Sequence, residues 1–352
     1  MAMKIGIEID WERRHFDMPR ERVQLADRLG YDMVFTAEAH GSDGISPLGY
    51  VLGCTDRIGV GTRIIQNLSR PAALLAMTFE TMRYMAPGRE VICGLGSGNP
   101  TVVQGYYGHE WTPAYWRMRD YVAIMRQAFA NQPLAHEGRA ISIPWHEADK
   151  PAEIPPIAPL MEAQGGIPII FGGATELMMS LAAEIGDGLL PNGGWWPGAM
   201  ATYRPIIEKG LAKRKIPGPS VEDFPIWAHV DVIVTDELRA GFATFKEYVA
   251  RYTSYGPSGG HATLMEQRGY GHCIERIAEL YNAGHHAEAC AAVPDEYIDE
   301  HWLVGPLPRV VERWRSKWID NGCNLIVRTD NWPGAVPAGN EVYEPLYRAL
   351  RD

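Results

Sequence analysis

Three side chains able to move protons lie within six residues of each other: Glu38, His40 and Asp43. A carboxylate beside a histidine can set a proton donor or acceptor near neutral pH. On an extended chain, residues two apart point the same way, so Glu38 could orient the His40 imidazole. The alternative is a surface loop with a solvated charge cluster. A second candidate is Gly94-Leu95-Gly96-Ser97-Gly98-Asn99, a G-x-G-x-G run. Its third glycine comes one residue early for a dinucleotide fingerprint, so its physical content is a backbone that can approach a ligand closely, or a tight turn. A third is Gly172-Gly173-Ala174-Thr175 just ahead of a helical pattern. Free amides at a helix start bind phosphate and Thr175 adds a hydroxyl; as an alternative, Thr175 is only an N-cap.

Other features weigh against other chemistries. His272, His285 and His286 fit no metal template, and the five cysteines contain no C-x-x-C, so no metal site is expected. An odd number of cysteines reads as reduced thiols in a cytoplasmic protein. The balance of 33 basic against 43 acidic residues gives a net charge of −10, which argues against a nucleic-acid partner. The N-terminal MAMKIGIEIDWERR lacks a signal-peptide core, and no apolar run is long enough to span a membrane. Lys209, Lys213, Arg214 and Lys215 read as a solvated helix end. Trp111, Trp116, Trp145 and Trp195-Trp196 sit in or beside predicted loops, either lining a pocket for an apolar or flat substrate or packing loops together.

The elements that must position these groups alternate. Strands are expected at Lys4–Asp10, Asp32–Ala39, Arg57–Gln66, Glu90–Leu95, Ile167–Phe171, Gly188–Pro191, Pro225–Thr235 and Asn324–Thr329. Helical patterns follow them, opening at Pro19, near Pro47, at Pro71, over Tyr115–Ala130 and Glu176–Ile185, after Pro191 through Leu211, over Glu237–Tyr252 and Leu307–Asp320, and near Glu341–Arg351. Eight strands, each followed by a helix, count out an α/β fold of the (β/α)8 TIM-barrel type, in one domain spanning 1–352. Two insertions interrupt it, at about 133–166, which holds six prolines between Pro133 and Pro159, and at about 257–305, expected to be helical. A doubly wound sheet would carry its glycine cluster after the first strand; here it follows the fourth. The polar and glycine-rich candidates all fall at strand C-terminal ends, the active face of such a barrel.

The chain resembles the luciferase-like flavin and deazaflavin oxidoreductases. The likeness rests on LADRLGYDMVFTAEAHGSD (25–43), GVGTRIIQNLSRPAALLAMTFETM (59–82), GREVICGLGSGNP (88–100), IPIIFGGAT (167–175) and LVGPLPRVVERWRSKWIDNGCNLIV (303–327). The run from Gly94 through Gly105-Tyr106-Tyr107-Gly108 resembles the branch that uses the deazaflavin coenzyme F420. The resemblance implies a barrel binding an isoalloxazine-like ring at the strand C-termini, with a non-proline cis peptide behind the ring at Arg63–Ile64, where family members often have glycine in place of Arg63. It also implies that Gly96, Ser97, Gly98 and Asn99 run alongside the cofactor. Gly172, Gly173, Ala174 and Thr175 would hold its phosphate, and Glu38 and His40 would lie near the ring's reactive carbon.

The function so implied is hydride transfer between F420 and a small organic substrate, with Glu38, His40 and Asp43 as the catalytic set, in a homodimer or homotetramer. An FMNH2-dependent monooxygenase is the alternative, since one barrel serves both chemistries. A flavin-binding protein without turnover is a third reading.

Overall fold

The computed structural model describes residues 3–11, 15–147, 149–173, 175–191, 195–254, 260–319, 321–329 and 339–351. They form two compact units, a larger one within Gly6–Leu190 and Arg204–Ile226, and a smaller one within Met1–Ile5, Pro191–Tyr203 and Trp227–Asp352. The architecture is α/β with a parallel sheet.

In chain order the elements up to the second unit are β1 (Ile5–Glu8), α1 (Arg20–Leu29), β2 (Met33–Thr36), α2 (Ser46–Cys54), β3 (Gly59–Thr62), β4 (Ile65–Gln66), α3 (Ala72–Met85), β5 (Val91–Gly96), α4 (Pro100–Gly105), α5 (Ala114–Phe129), β6 (His136–Glu137), β7 (Ser142–Ile143), β8 (Ile169–Gly173), α6 (Glu176–Ile185), β9 (Gly188–Pro191) and α7 (Met200–Leu211). The larger unit's sheet runs β1-β2-β3-β5-β8-β9, with β4 beside β5. Its pairs β1/β2, β2/β3, β3/β5, β4/β5 and β5/β8 are parallel. Strands β1, β2, β3 and β5 are buried at every residue. That is why they read as short apolar runs without alternation: helices cover one face of a parallel sheet and side chains fill the other.

Two differences from the sequence reading bear on the site. The strand expected over Arg57–Gln66 is split into β3 and β4, and the Arg63–Ile64 peptide between them is cis. Arg63 tolerates the position where glycine is common: its guanidinium turns to Glu8, Nη1 to Oε2 at 2.8 Å. The second difference is α4, which Asn99 starts by accepting the Val102 amide at 3.0 Å, with Pro100 as the first helical residue. Asn-Pro is a helix-start signal that was present in the sequence. Between α5 and β8 the chain is mostly irregular. It is pinned by Asp120, whose carboxylate accepts the amides of Ala140 and Ile141 and contacts His136 Nε2 at 3.0 Å.

The basic run after α7 is not uniformly solvated. Arg214, with a side chain only 6% exposed, donates to the carbonyls of Ala183 and Gly186 and lies 3.5 Å from Asp187. Arg126 reaches the same carboxylate from α5 at 3.0 Å.

The smaller unit holds β10 (Trp227–Val234), α8 (Leu238–Thr253), α9 (Gly260–Gln267), α10 (Ile274–Asn282), α11 (His286–Ala291), α12 (Asp295–His301), β11 (Leu303–Gly305), α13 (Leu307–Arg313), β12 (Asn324–Arg328) and α14 (Tyr343–Arg351). Strands β11 and β12 both pair in parallel with β10. The stretch expected to be helical over 257–305 therefore contains helices and closes on a three-residue strand, too short to show a period. With α8, this stretch buries Phe245, Val249, Met265, Ile277, Tyr297 and Trp302 together.

Two histidines lie inside this cluster. Burial pushes His261 down to about 4. Burial, with Arg268 and His261 adding to it, pushes His301 well below the ordinary histidine value. Both are neutral at pH 7, and Arg268 donates to the His301 ring. Above pH 6.5 the folded and unfolded chains bind the same protons here. Below it the unfolded histidine takes a proton that the folded one refuses. Folding stability should therefore fall by about 1.4 kcal/mol per pH unit for His261 between pH 6.5 and about 4. Urea unfolding at pH 7.5, 5.5 and 4.5 measures the slope. An unchanged slope in His261→Asn would remove this histidine as its cause.

Candidate active site

Every predicted site residue that the structure describes falls in the larger unit. Ala174 lies outside the described residues. The site is built at the C-terminal ends of β2, β4, β5 and β8. The Ile64 side chain rests on two glycines from neighbouring strands: a Cβ at Gly96 would come within 2.5 Å of Ile64 Cδ1, and one at Gly172 within 2.9 Å of its Cγ2. Any other residue at either position would displace Ile64. Gly98 follows at φ +71°, a left-handed conformation that favours glycine, with the buried Gln66 side chain against it. Arg63, Ile64, Gly96, Ser97, Gly98, Gly172 and Gly173 are thus brought to adjoining strand ends.

Thr175 is exposed and caps α6: its Oγ1 accepts the Met178 amide at 3.3 Å. The hydroxyl proton stays available to an anion placed at the helix start, where the backbone dipole is positive. Thr175→Ala should destabilise the helix start by roughly 0.5–2 kcal/mol. If the hydroxyl also holds a phosphate, the dissociation constant of a phosphorylated cofactor should rise about tenfold more than that of its dephosphorylated form, since one charge-assisted hydrogen bond is lost. Equal weakening of both in a fluorescence titration would return Thr175 to the role of a cap.

The acid–base cluster is arranged differently from the expectation. Glu38 is buried and both its oxygens are taken: Oε1 accepts from Ser69 Oγ at 2.8 Å and from Arg70, and Oε2 accepts the Gly44 amide at 3.2 Å. It does not orient His40. β2 ends at Thr36 and the chain bends from Ala39 to Ser42, so the alternation that would align residues 38 and 40 has ceased. Asp43 accepts the amides of Ile45 and Ser46 at the start of α2, the Ser46 hydroxyl, and Arg70 Nη2 at 2.8 Å. Burial alone would raise its pKa, but these donors outweigh it and hold the carboxyl below its ordinary value.

Arg70, which sequence reasoning missed, therefore bridges both carboxylates. Burial works against its charge, and the Glu38 bond more than compensates, raising its pKa. Arg117 was missed as well. It is 2% exposed and donates to Asn67 Oδ1, the Thr112 carbonyl and the Ser97 carbonyl, which fastens the strand-five loop. Nothing local marks either arginine in the sequence: Asp43, Asn67 and Ser97, which they bind, are 27, 50 and 20 residues away.

His40 is exposed, and its ring meets Tyr106 edge-on at 6.4 Å. Tyr106 in turn meets Tyr107 at 5.4 Å. Burial, with the Glu38 charge, pushes Tyr107 up to about 12, so it keeps its proton at neutral pH. The tryptophans divide. Trp195 and Trp196 are buried in the smaller unit, stacked on or tilted against Tyr203, and serve as packing. Trp116 stands 38% exposed under Arg139, and Trp145 is 79% exposed. A groove of about 540 Å³ between Ala135, Glu137, Pro144, Ile154 and Pro155 shares no residue with the cluster around Glu38. Among the described residues no group of histidine, cysteine or acidic side chains could hold a metal ion, and no helix is long and apolar enough to cross a membrane.

Residues 3–323 match the profile of the luciferase-like monooxygenases. The chain belongs to this family. A Mycobacterium tuberculosis protein described as a coenzyme F420-dependent oxidoreductase is 32% identical to this luciferase-like chain over 338 residues, 93% of this chain and 95% of the relative. The 5,10-methylenetetrahydromethanopterin reductase of Archaeoglobus fulgidus is 25% identical, over 88% and 89%. Among solved structures, the coenzyme F420-dependent tetrahydromethanopterin reductase of Methanopyrus kandleri superposes with a TM-score of 0.77 at 18% identity, covering 99% of this chain and 98% of its own, a likeness of fold.

Proposed function

We propose that this luciferase-like protein is an F420-dependent oxidoreductase that passes a hydride between the deazaflavin and a small organic substrate. The observation that carries the reading is the Ile64 platform, a side chain seated on Gly96 and Gly172. It leaves backbone and one branched side chain where a flat ring must lie close. Near-full-length likeness to the F420-dependent relatives supports the choice of cofactor. When bound, the deazaflavin supplies the two-electron chemistry at its C5.

The chain's own residues do the rest. Ile64 backs the ring, and Gly96, Ser97, Gly98 and Asn99 run beside it, with Arg117 holding that loop in place. Gly172, Gly173, Ala174 and Thr175 take the phosphate at the positive end of α6. Glu38 and Asp43, both bonded to Arg70, form a fixed frame. His40 holds or gives up the proton that accompanies hydride transfer at a C–O centre. The substrate is small and apolar or flat. The reading also takes the chain as one (β/α)8 barrel over 1–352 with insertions at about 133–166 and 257–305, cytoplasmic and homo-oligomeric; the fold likeness over 99% of the chain supports the barrel.

Parallel titration with F420 and with FMN, followed by absorbance and native mass spectrometry, tests the cofactor. F420 should bind at least about tenfold more tightly, and hydride transfer to or from an alcohol or carbonyl panel should be visible as bleaching or recovery of the deazaflavin band. Preference for FMN with oxygen uptake in its reduced form would make the protein a monooxygenase. Tight F420 binding with no transfer to any acceptor would make it a binding protein.

A further inference from the structure

Two adjacent tyrosines follow α4, and they differ in their surroundings. Tyr106 is exposed, and its ring meets two others edge-on, Tyr107 at 5.4 Å and His40 at 6.4 Å. Tyr107 is half-buried. The charges of Glu38, Arg70 and Asp43 all act on its hydroxyl, which puts that hydroxyl beside the frame built around Arg70. Phenol and imidazole thus share one aromatic neighbour at the edge of the site.

The other hydroxyls at these strand ends are engaged inside the protein. Thr36 donates to the Gly44 carbonyl and Thr62 to the Gly94 carbonyl. The Ser69 hydroxyl serves Glu38 and the Gln66 carbonyl. Tyr121 donates to the Arg70 carbonyl at 2.9 Å. Arg70 itself is taken by two carboxylates. Among the described residues the Tyr107 hydroxyl has no hydrogen-bond partner. Burial and the Glu38 charge push it up to about 12, so it keeps its proton at neutral pH and what it offers is a donor. A fixed donor that keeps its proton stabilises charge as it develops on an acceptor.

We propose that Tyr107 is a second catalytic residue of this site: its phenol donates a hydrogen bond to the oxygen on the reacting carbon, and the substrate is a carbonyl compound or the corresponding alcohol. The assignment rests on the hydride-transfer reading above and narrows its substrate class. In the reducing direction a hydride from the reduced deazaflavin reaches the carbonyl carbon, the π pair moves onto oxygen, and His40 gives the proton that completes the alcohol. Oxidation runs the same changes in reverse. Tyr107 holds a lone pair of that oxygen throughout and exchanges no proton. An iminium carbon brings no such lone pair and would leave the hydroxyl without a partner.

Tyr107→Phe removes only the hydroxyl and keeps the ring against Tyr106. Turnover is measured on acetone, cyclohexanone and benzaldehyde and on their alcohols. With the substrate that wild type handles best, kcat should fall about 10–100-fold while KM changes less than about threefold, because the bond strengthens as the oxygen gains charge. The loss should be uniform between about pH 6 and 9, since the phenol stays protonated across that range. The F420 dissociation constant and the melting temperature should be unchanged. Isobutyramide, whose carbonyl oxygen accepts a hydrogen bond but whose carbon resists hydride, should bind the F420 complex at least about fivefold more weakly in the variant. A kcat within about threefold of wild type, or equal isobutyramide binding, overturns the assignment and leaves the cofactor reading standing. A wild type that binds F420 and transfers hydride only to substrates without oxygen on the reacting carbon overturns it as well. A wild type that binds no F420 fails the cofactor reading, and the assignment with it.

Discussion

Replacing His40 by alanine should lower turnover by a factor on the order of 10²–10⁴, the usual worth of a general acid or base, with little change in cofactor affinity. The argument is by the state of the neighbours. Both oxygens of Glu38 are occupied, by Arg70, the Ser69 hydroxyl and the Gly44 amide. Asp43 is held below its ordinary pKa by Ser46, Ile45 and Arg70 despite partial burial. Tyr107, pushed up to about 12 by burial and the Glu38 charge, keeps its proton. His40 is exposed beside Tyr106, and among the described residues no hydrogen bond commits its ring to a structural role. An imidazole carries both a donor and an acceptor nitrogen, which suits a proton that must move in either direction. Turnover, cofactor dissociation constant and melting temperature should be measured together on His40→Ala. Turnover within about threefold of wild type, only about 0.65 kcal/mol of barrier, would remove His40 from the mechanism.

Arg70→Met should destabilise the fold by about 3–5 kcal/mol. The substitution keeps the length of the stem and removes the guanidinium. Glu38, with a side chain 6% exposed, would be left as a buried carboxylate whose remaining donors are one hydroxyl and one amide. Arg70→Lys should recover only part of the loss, because an ammonium cannot fork between Glu38 and Asp43 as the two guanidinium nitrogens do. The double variant Glu38→Gln/Arg70→Met should lose less than the sum of its parts, since it leaves no unpaired charge. Urea unfolding of the four proteins measures the coupling. A loss below about 1 kcal/mol in Arg70→Met would mean that water reaches Glu38 and that the bridge does not hold the loop after β2.

Much of the fold was legible in the residues. Glu176–Ile185 and Gly188–Pro191 have the same limits in the structure as in the sequence reading, because a 3.6 period and a short apolar run bounded by glycine and proline are local signals. The strand-end glycines were visible for the same reason: only glycine can stand at Gly98's left-handed φ or beneath Ile64 without displacing it. The short strand β11 and helix α4 were not seen, the first because three residues carry no period, the second because its Asn99-Pro100 start was read as part of the glycine loop.

The chemistry of the cluster is a different matter. The sequence by itself determined that Glu38, His40 and Asp43 stand together after β2, since six residues cannot separate far. Only the tertiary structure decided which of them is free to act. Arg70 arrives from the end of another strand, 32 residues from Glu38 and 27 from Asp43, and takes both carboxylates. A charge's state depends on what lies within a few ångströms of it in space and on how much water reaches it. Neither quantity is written in the order of neighbouring residues; both follow from which strand ends the parallel sheet sets side by side.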